Sequence, residues 1–133
     1  MRKYKLTDET KTVNGATLYR IEALRDFNDV KAGDRGGFVK SEENLSHRGT
    51  CWVYDDASLH DYASLRGHSS LHGHAAMWDY ASMHDASAMY GHASLHGHAA
   101  MWDHSSLREH ASIRRHAALW GHEVLRGQEV RSI

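Results

Sequence analysis

The sequence has no proline, a single cysteine and no long run of apolar residues. With Cys51 alone, no disulfide can form within the chain, and a zinc site built on paired cysteines is excluded. No stretch approaches the roughly 18 apolar residues of a membrane span, and the N-terminal residues lack the apolar segment of a secretory signal. We therefore expect a cytoplasmic protein with no membrane partner.

The sequence also lacks an excess of charge of either sign. Lysine and arginine number 16 and the acidic residues 17, which gives a formal net charge of −1. A protein that coats DNA is usually far more basic, so DNA is not an expected partner. The length of 133 residues fits one structural domain.

What the sequence does have is a repeat of six residues. From Val53 the chain divides into thirteen hexads without an insertion or a deletion. Position one is always Val, Leu, Met or Ile, and position five is Ala or Ser in the first eleven hexads. Position three is mostly Gly or Asp, and position four is His in eight hexads.

This period fits strands and not a helix. Six residues turn a helix by about 600°, so successive aliphatic residues would point in three directions. A short strand instead places Ala57 and Leu59 on one face, with Ser58 and His60 on the other. The Gly or Asp at position three can then turn a corner, because both residues tolerate positive φ. The pattern predicts a β-solenoid.

A small residue two places before an aliphatic one resembles the hexapeptide repeat of left-handed parallel β-helices. The resemblance implies a triangular coil of three hexads, so thirteen hexads make a little over four coils. The expected fold class is all-β, a left-handed parallel β-helix with a small N-terminal β cap. Asn14-Gly15 is typical of a hairpin turn in that cap.

The sequence LRDFNDVKAGDRGGFV from Leu24 to Val39, followed by Ser41 to Ser46 and Cys51 to Tyr54, carries a second resemblance. It is similar to the leader of hexapeptide-repeat proteins from phages and prophages. The resemblance implies a phage accessory protein that acts in the host cytoplasm. We expect residues 1–52 to form the cap and residues 53–133 the solenoid.

The last two hexads break the pattern. Glu123 and Glu129 replace the small inward residue, and Val124 and Val130 replace the outward one. Because two buried glutamates are costly, we expect the last coil to reverse which residues face the core.

Residues 18 apart stack in columns in such a fold. Histidines at position four would form ladders; metal binding is one interpretation and corner geometry the other, and we predict no metal site. Large aromatic and basic residues at position two would face outward, as an interface or a ligand platform. The predicted ligand-binding residues are Trp78, His84, Tyr90, His96, Trp102, Arg108, Arg114, Trp120 and Arg126. The nine residues from Leu71 to Asp79 recur unchanged from Leu95 to Asp103, which marks the hexads as interchangeable scaffold.

The resemblance also sets the functional alternatives. Hexapeptide acyltransferases use a histidine as general base between subunits, and they add a projecting loop and a helical tail. The unbroken hexads offer neither, so we expect no catalytic residue, no cofactor and no enzyme. The predicted function is an oligomeric binding protein, a trimer by resemblance, that sequesters a nucleotide-like anion or blocks a host protein. The alternatives are a virion or assembly scaffold and a hexapeptide-type acyltransferase.

Overall fold

The computed structural model describes residues 2–132, and these form a triangular β-solenoid of about five coils. The expected all-β solenoid is confirmed, and no α-helix occurs between residues 2 and 132. A 3-10 helix spans Glu42–Asn44. The strands are β1 Tyr4–Val13, β2 Ala16–Ala23, β3 Arg35–Val39, β4 Trp52–Val53, β5 Ser58–Leu59, β6 Ser64–Leu65, β7 Ser70–Leu71, β8 Ala76–Met77, β9 Ser82–Met83, β10 Ala88–Met89, β11 Ser94–Leu95, β12 Ala100–Met101, β13 Ser106–Leu107, β14 Ser112–Arg114, β15 Ala118–Leu119, β16 Val124–Leu125 and β17 Val130–Ser132.

Three sheets make the sides of the prism. The hairpin face has the strand order β1-β2-β3-β5-β8-β11-β14-β17, the five-strand face β4-β7-β10-β13-β16, and the four-strand face β6-β9-β12-β15. Within the coils every pairing is parallel and joins residues 18 apart, as in Ser64 with Ser82. The inward residues therefore stack in columns, such as Leu59, Met77, Leu95 and Ile113, all fully buried.

The corners depend on the residue at position three. In all thirteen hexads this residue has positive φ, and it is Gly or Asp except at Glu109 and Arg115. Aspartate adds a hydrogen bond between coils: the carboxylate of Asp79 accepts the backbone N–H of Gly97 at 2.9 Å. The aspartates therefore relieve the unpaired amides of the corners while accepting the left-handed conformation.

The repeat begins earlier than the hexad pattern predicts. Gly49 has φ of 68°, Cys51 is buried at the inward small position, and Trp52 starts the first strand of the five-strand face. This turn escaped the pattern because a histidine stands at position one and a tryptophan at position six.

The N-terminal segment covers the start of the solenoid. The β1–β2 hairpin is antiparallel, while β3 pairs with β5 in parallel and continues the hairpin face. Gly36 and Gly37 let β3 lie directly on the first coil: a Cβ at Gly36 would be 2.5 Å from the Val53 carbonyl oxygen, and one at Gly37 would overlap the carbonyl of Ala57. The paired glycines of the leader are thus required by backbone contact.

The expected reversal of the last coil is wrong. Val124 still pairs with Ser106 and remains exposed, while Leu125 still points inward and is buried. Glu123 is exposed, and its carboxylate turns back to accept the backbone N–H of Trp120 at 3.2 Å.

The second glutamate has the same role. Glu129 accepts the N–H of Arg126 at 2.9 Å. In the coil below, the equivalent amide of Trp102 donates to the carbonyl of Leu119 in the next coil. Within residues 2–132 the last coil has no such neighbour, and the two carboxylates satisfy the amides of Trp120 and Arg126.

Replacement of Gly37 by alanine tests the contact between β3 and the first coil. We expect G37A to lower the free energy of unfolding by about 1–3 kcal/mol, because the added methyl forces two backbones apart. Urea unfolding measures the change, with Thr17→Ala on the exposed side of β2 as the control. An unchanged midpoint for G37A would show that β3 is free to move.

Two substitutions at Asp79 separate its hydrogen bond from its backbone conformation. Asp79→Gly removes the bond to Gly97 and keeps an easy left-handed residue, whereas Asp79→Ala removes both advantages. We expect D79A to be less stable than D79G by about 1 kcal/mol, as measured by thermal unfolding. The opposite order would contradict this account of the corner.

Candidate functional site

Most of the short strands have one of two kinds of outward residue pair; the exceptions include Trp52 with Tyr54 and Val124 with Arg126. A serine stands two residues before a histidine or an arginine, and an alanine two residues before a tryptophan or a tyrosine. The alanine pairs are Ala76–Trp78, Ala88–Tyr90, Ala100–Trp102 and Ala118–Trp120. A small neighbour leaves room for a large ring on the flat sheet, whereas a hydroxyl gives a polar side chain a hydrogen-bond partner.

Four serine–histidine pairs are hydrogen bonded. The distance between the serine Oγ and the histidine Nε2 lies between 2.8 and 3.0 Å in every case. The pairs are Ser58–His60, Ser70–His72, Ser82–His84 and Ser94–His96. Each imidazole is thus fixed in orientation against the sheet.

Burial holds all four imidazoles in the neutral form at pH 7. Desolvation lowers the pKa of His72, His84 and His96 below the ordinary value of 6.5, and that of His60 to about 4. Nearby charges modify the effect: Asp85 raises and Arg66 lowers the pKa of His84. A neutral imidazole can accept a proton, which is the property required of a general base.

The surroundings of the four histidines differ. His60 is 4% exposed and stacks on Trp78 with 3.6 Å between ring centroids. His72 lies between Tyr54 and Tyr90, at 4.5 and 4.7 Å. His60 is therefore buried and His72 is covered on both ring faces, so neither imidazole has room for a substrate.

His84 and His96 are more accessible. His84 stacks on Trp102 at 3.8 Å and has Arg66 in the coil below, because β6 and β9 pair in register. His96 has Trp78 at 6.3 Å, and Arg114 lowers its pKa after the larger effect of burial. Of these two histidines, His84 is the one next to a groove, because its neighbour Arg66 is part of the groove lining.

This groove lies where the four-strand face meets the N-terminal segment, and we call it the Arg66 groove. It has a volume of about 500 Å³. Its lining residues are Lys40, Ser41, Glu43, Asn44, Asp61, Tyr62, Ser64 and Arg66. Together with Ser82, His84 and Trp102, the groove forms the candidate site.

The nine predicted ligand-binding residues do not meet in one place on the chain. Three lie on each side of the prism. His84, Trp102 and Trp120 follow strands of the four-strand face; Trp78, His96 and Arg114 belong to the hairpin face, and Tyr90, Arg108 and Arg126 to the five-strand face.

The corner histidines form the expected ladders. Ring centroids are 5.0 Å apart in His74–His92, 5.1 Å in His92–His110 and 5.2 Å in His104–His122. All are exposed. No group of three His, Cys, Asp or Glu side chains within residues 2–132 is arranged to hold a metal ion.

Sequence reasoning missed the serines and the groove. The signal for Ser82 was present, since serine precedes four of the position-two histidines by two residues. Lys40 and Ser41 gave no signal, because they reach the four-strand face only through the fold of the N-terminal segment.

Comparison with known proteins finds that part of the chain is similar to a protein named as an acetyltransferase. No family model matches the chain. The chain is 39% identical over 67 residues to a protein of Escherichia coli (strain K12) named uncharacterized acetyltransferase YdcK. The match covers 44% of this chain and 21% of the relative, so the chain spans about a fifth of the relative's length. Repeat, fold and relative together support a hexapeptide-repeat protein.

This relative overturns the expectation that the protein is not an enzyme. It is named as an acetyltransferase, which points to an enzyme and favours the acyltransferase alternative over a pure binding protein. The expectation rested on the absence of a projecting loop and a helical tail, and it did not consider the neighbours of each histidine in the fold. The structure separates exposed corner imidazoles from serine-bonded imidazoles on the faces.

The part of the chain that the structure describes contains no helix with the length and apolar character needed to cross a membrane.

The low pKa of His60 makes stability depend on pH. Between about pH 6.5 and 4 the unfolded chain binds more protons at this residue than the folded protein does, so the free energy of unfolding decreases as pH falls through this window. The contribution of His60 is at most about 3 kcal/mol. We expect His60→Gln to flatten the pH dependence of urea unfolding, most clearly below about pH 5.

Thr17→Ala, a non-titratable substitution at an exposed position of β2, is the control and should leave the pH dependence of the wild-type protein unchanged. An H60Q protein with the wild-type pH dependence would contradict the buried, neutral state of His60.

Proposed function

We propose that the protein transfers an acyl group, with an acetyl group as the first candidate, and that His84 is the general base. The observation that carries the proposal is the Ser82–His84 pair beside an open groove, in a chain similar to a protein named as an acetyltransferase. The solenoid would act as a rigid frame for this pair.

The chemistry requires an activated acyl donor, such as a thioester, and an acceptor with a hydroxyl or an amine. The acceptor attacks the carbonyl carbon while His84 takes its proton through Nδ1, the ring nitrogen that Ser82 does not contact, and the bond from carbon to sulfur breaks. The imidazolium then returns the proton to the leaving thiolate. During this cycle Ser82 Oγ, 3.0 Å from Nε2 in the free protein, orients the ring.

Three features favour His84 over the other paired histidines. It is half-buried and accessible, whereas His60 is buried and His72 has a tyrosine on each side. It adjoins a groove able to hold substrate. Trp102, which is 41% exposed, stacks on one ring face and supplies an apolar wall.

We further propose that the site is completed in an oligomer, for which a trimer is the first candidate. Trp102 and Trp120 follow neighbouring strands of the four-strand face and are 41% and 58% exposed. Large exposed aromatic residues on a small protein favour burial against a partner. A second subunit packed on this face would also exclude water from His84.

Replacement of His84 tests the proposal. His84→Gln should reduce acetyl transfer at least about 100-fold, because a general base contributes about two to four orders of magnitude. Transfer is measured by mass spectrometry with an acetyl thioester and a panel of small amines and alcohols. Wild-type activity should hold steady above about pH 6.5 and decline below it, since the pKa of His84 lies under that value.

Two controls match the variant. His96→Gln removes the same kind of serine-paired histidine from the hairpin face, and His74→Gln removes a corner histidine; both should keep nearly full activity. Equal activity of H84Q and the wild-type protein would exclude His84 as the base. The absence of transfer by the wild-type protein with every acceptor would exclude the function.

A further inference from the structure

The Arg66 groove has features that the proposed transfer reaction does not itself require. Its walls come from two parts of the chain that are distant in sequence: the segment after β3, with Lys40 and Ser41, and the first coil, with Tyr62, Ser64 and Arg66. The groove is therefore a product of the N-terminal segment docking on the solenoid.

Asn44 holds the two walls together. Its side-chain amide nitrogen donates to the carbonyls of Asp61 and Ala63, at 3.2 and 2.8 Å. Its amide oxygen accepts the backbone N–H groups of Lys40 and Ser41, at 3.0 and 2.9 Å. Asn44 is 2% exposed, so these bonds form a buried clamp, and the groove is preformed rather than assembled on binding.

The groove contains two cationic side chains, those of Lys40 and Arg66. Neither Lys40 nor Arg66 forms an ion pair with another of residues 2–132, and both side chains are exposed. The Lys40 ammonium lies 5.6 Å from the ring centroid of Tyr62, which directs it over the groove rather than away from it. Arginine is suited to a planar or tetrahedral oxyanion because its N–H groups form a fork.

The carboxylates of the groove limit what it can bind. Asp61 uses one carboxylate oxygen to accept the N–H of Asp79 at 3.0 Å, as part of a corner, while Glu43 is exposed at the rim. The lining thus carries two positive and two negative groups and is not a general polyanion surface. Binding must come from directed hydrogen bonds to one small oxyanion.

We propose that the Arg66 groove binds the carboxylate or phosphate group of the acceptor substrate, with Arg66 as its anchor and Lys40 as the second cation. This inference rests on the proposed function, because the register of β6 and β9 places Arg66 directly below His84. An acceptor held by its oxyanion in the groove would present its hydroxyl or amine to the imidazole of His84. The expected substrates are small anionic alcohols or amines.

Binding can be tested without any turnover. The isotopically labelled protein is titrated with inorganic phosphate and, separately, with succinate at constant ionic strength, and backbone amide shifts are followed by nuclear magnetic resonance. We expect saturable shifts confined to residues 40–44 and 61–66. Arg66→Gln should weaken binding by about tenfold or more, since it removes charged hydrogen bonds. Lys40→Gln should weaken it less.

Arg114→Gln is the matched control. Arg114 is an exposed arginine at the same repeat position on the hairpin face, away from the groove, so binding should be unaffected. Saturation by either probe with loss in R66Q supports the site, and the stronger probe identifies the oxyanion. Shifts that do not saturate, or an equal loss in R66Q and R114Q, would overturn it. Both variants are first shown to unfold at the wild-type temperature.

Kinetics distinguishes this inference from the function on which it rests. If the protein transfers acetyl groups, R66Q should raise KM for anionic acceptors and leave neutral acceptors unchanged. Groove binding with no turnover by the wild-type protein would reject the transfer reaction and retain the oxyanion site. Turnover with the same KM in R66Q and the wild-type protein would reject the site and retain the reaction.

Discussion

The parallel hydrogen-bond ladder between coils is the constraint on which the rest of the structure depends. Before the last coil, the outward residue that follows each short strand donates its backbone N–H to a carbonyl in the next coil, as His60 does to Met77 and Trp78 to Leu95, both at 2.9 Å. This ladder fixes the register at 18 residues and leaves no freedom to slide. Every side chain therefore has two defined neighbours, one above and one below. The corners obey the same register, because Asp79 reaches the amide of Gly97 one coil further on.

On such a frame, the column neighbours of a residue set its surroundings. A loop that folds over the prism is not needed to give a histidine a special environment, since His84 already has Trp102 above, Arg66 below and Ser82 beside it. Burial against these neighbours lowers the pKa of His84. The same residue type at the corners stays exposed and stacks on a corner histidine or tyrosine of the neighbouring coil. Chemical differentiation in this protein arises from position on the prism.

The sequence predicts the structure of the repeated hexads, but it does not predict the contacts made by the N-terminal segment or by the last coil. Strand faces, corner residues and columns followed from the period of six, and the structure confirms the solenoid. The Arg66 groove could not be predicted, because Asn44 joins two segments whose approach depends on tertiary docking. The role of Glu123 was misread for a related reason: its partner is the amide of Trp120, which in the other coils is satisfied by the following coil. The wrong expectation about enzymatic activity came from the missing loop and helical tail, because the neighbours of His84 in the fold could not be read from the repeat.

The repeated nine-residue segment shows that identical sequences have different surroundings in this fold. Leu71 to Asp79 and Leu95 to Asp103 are identical, yet a shift of 24 residues moves the second copy to another side of the prism. Trp78 then stacks on the buried His60 near the hairpin and is itself half-buried, whereas Trp102 stacks on the accessible His84 and is 41% exposed. One sequence thus supplies a packing residue in one place and the wall of a candidate site in another. The same hexads therefore fit two sides of the prism, and the neighbours in the column decide what each copy contacts.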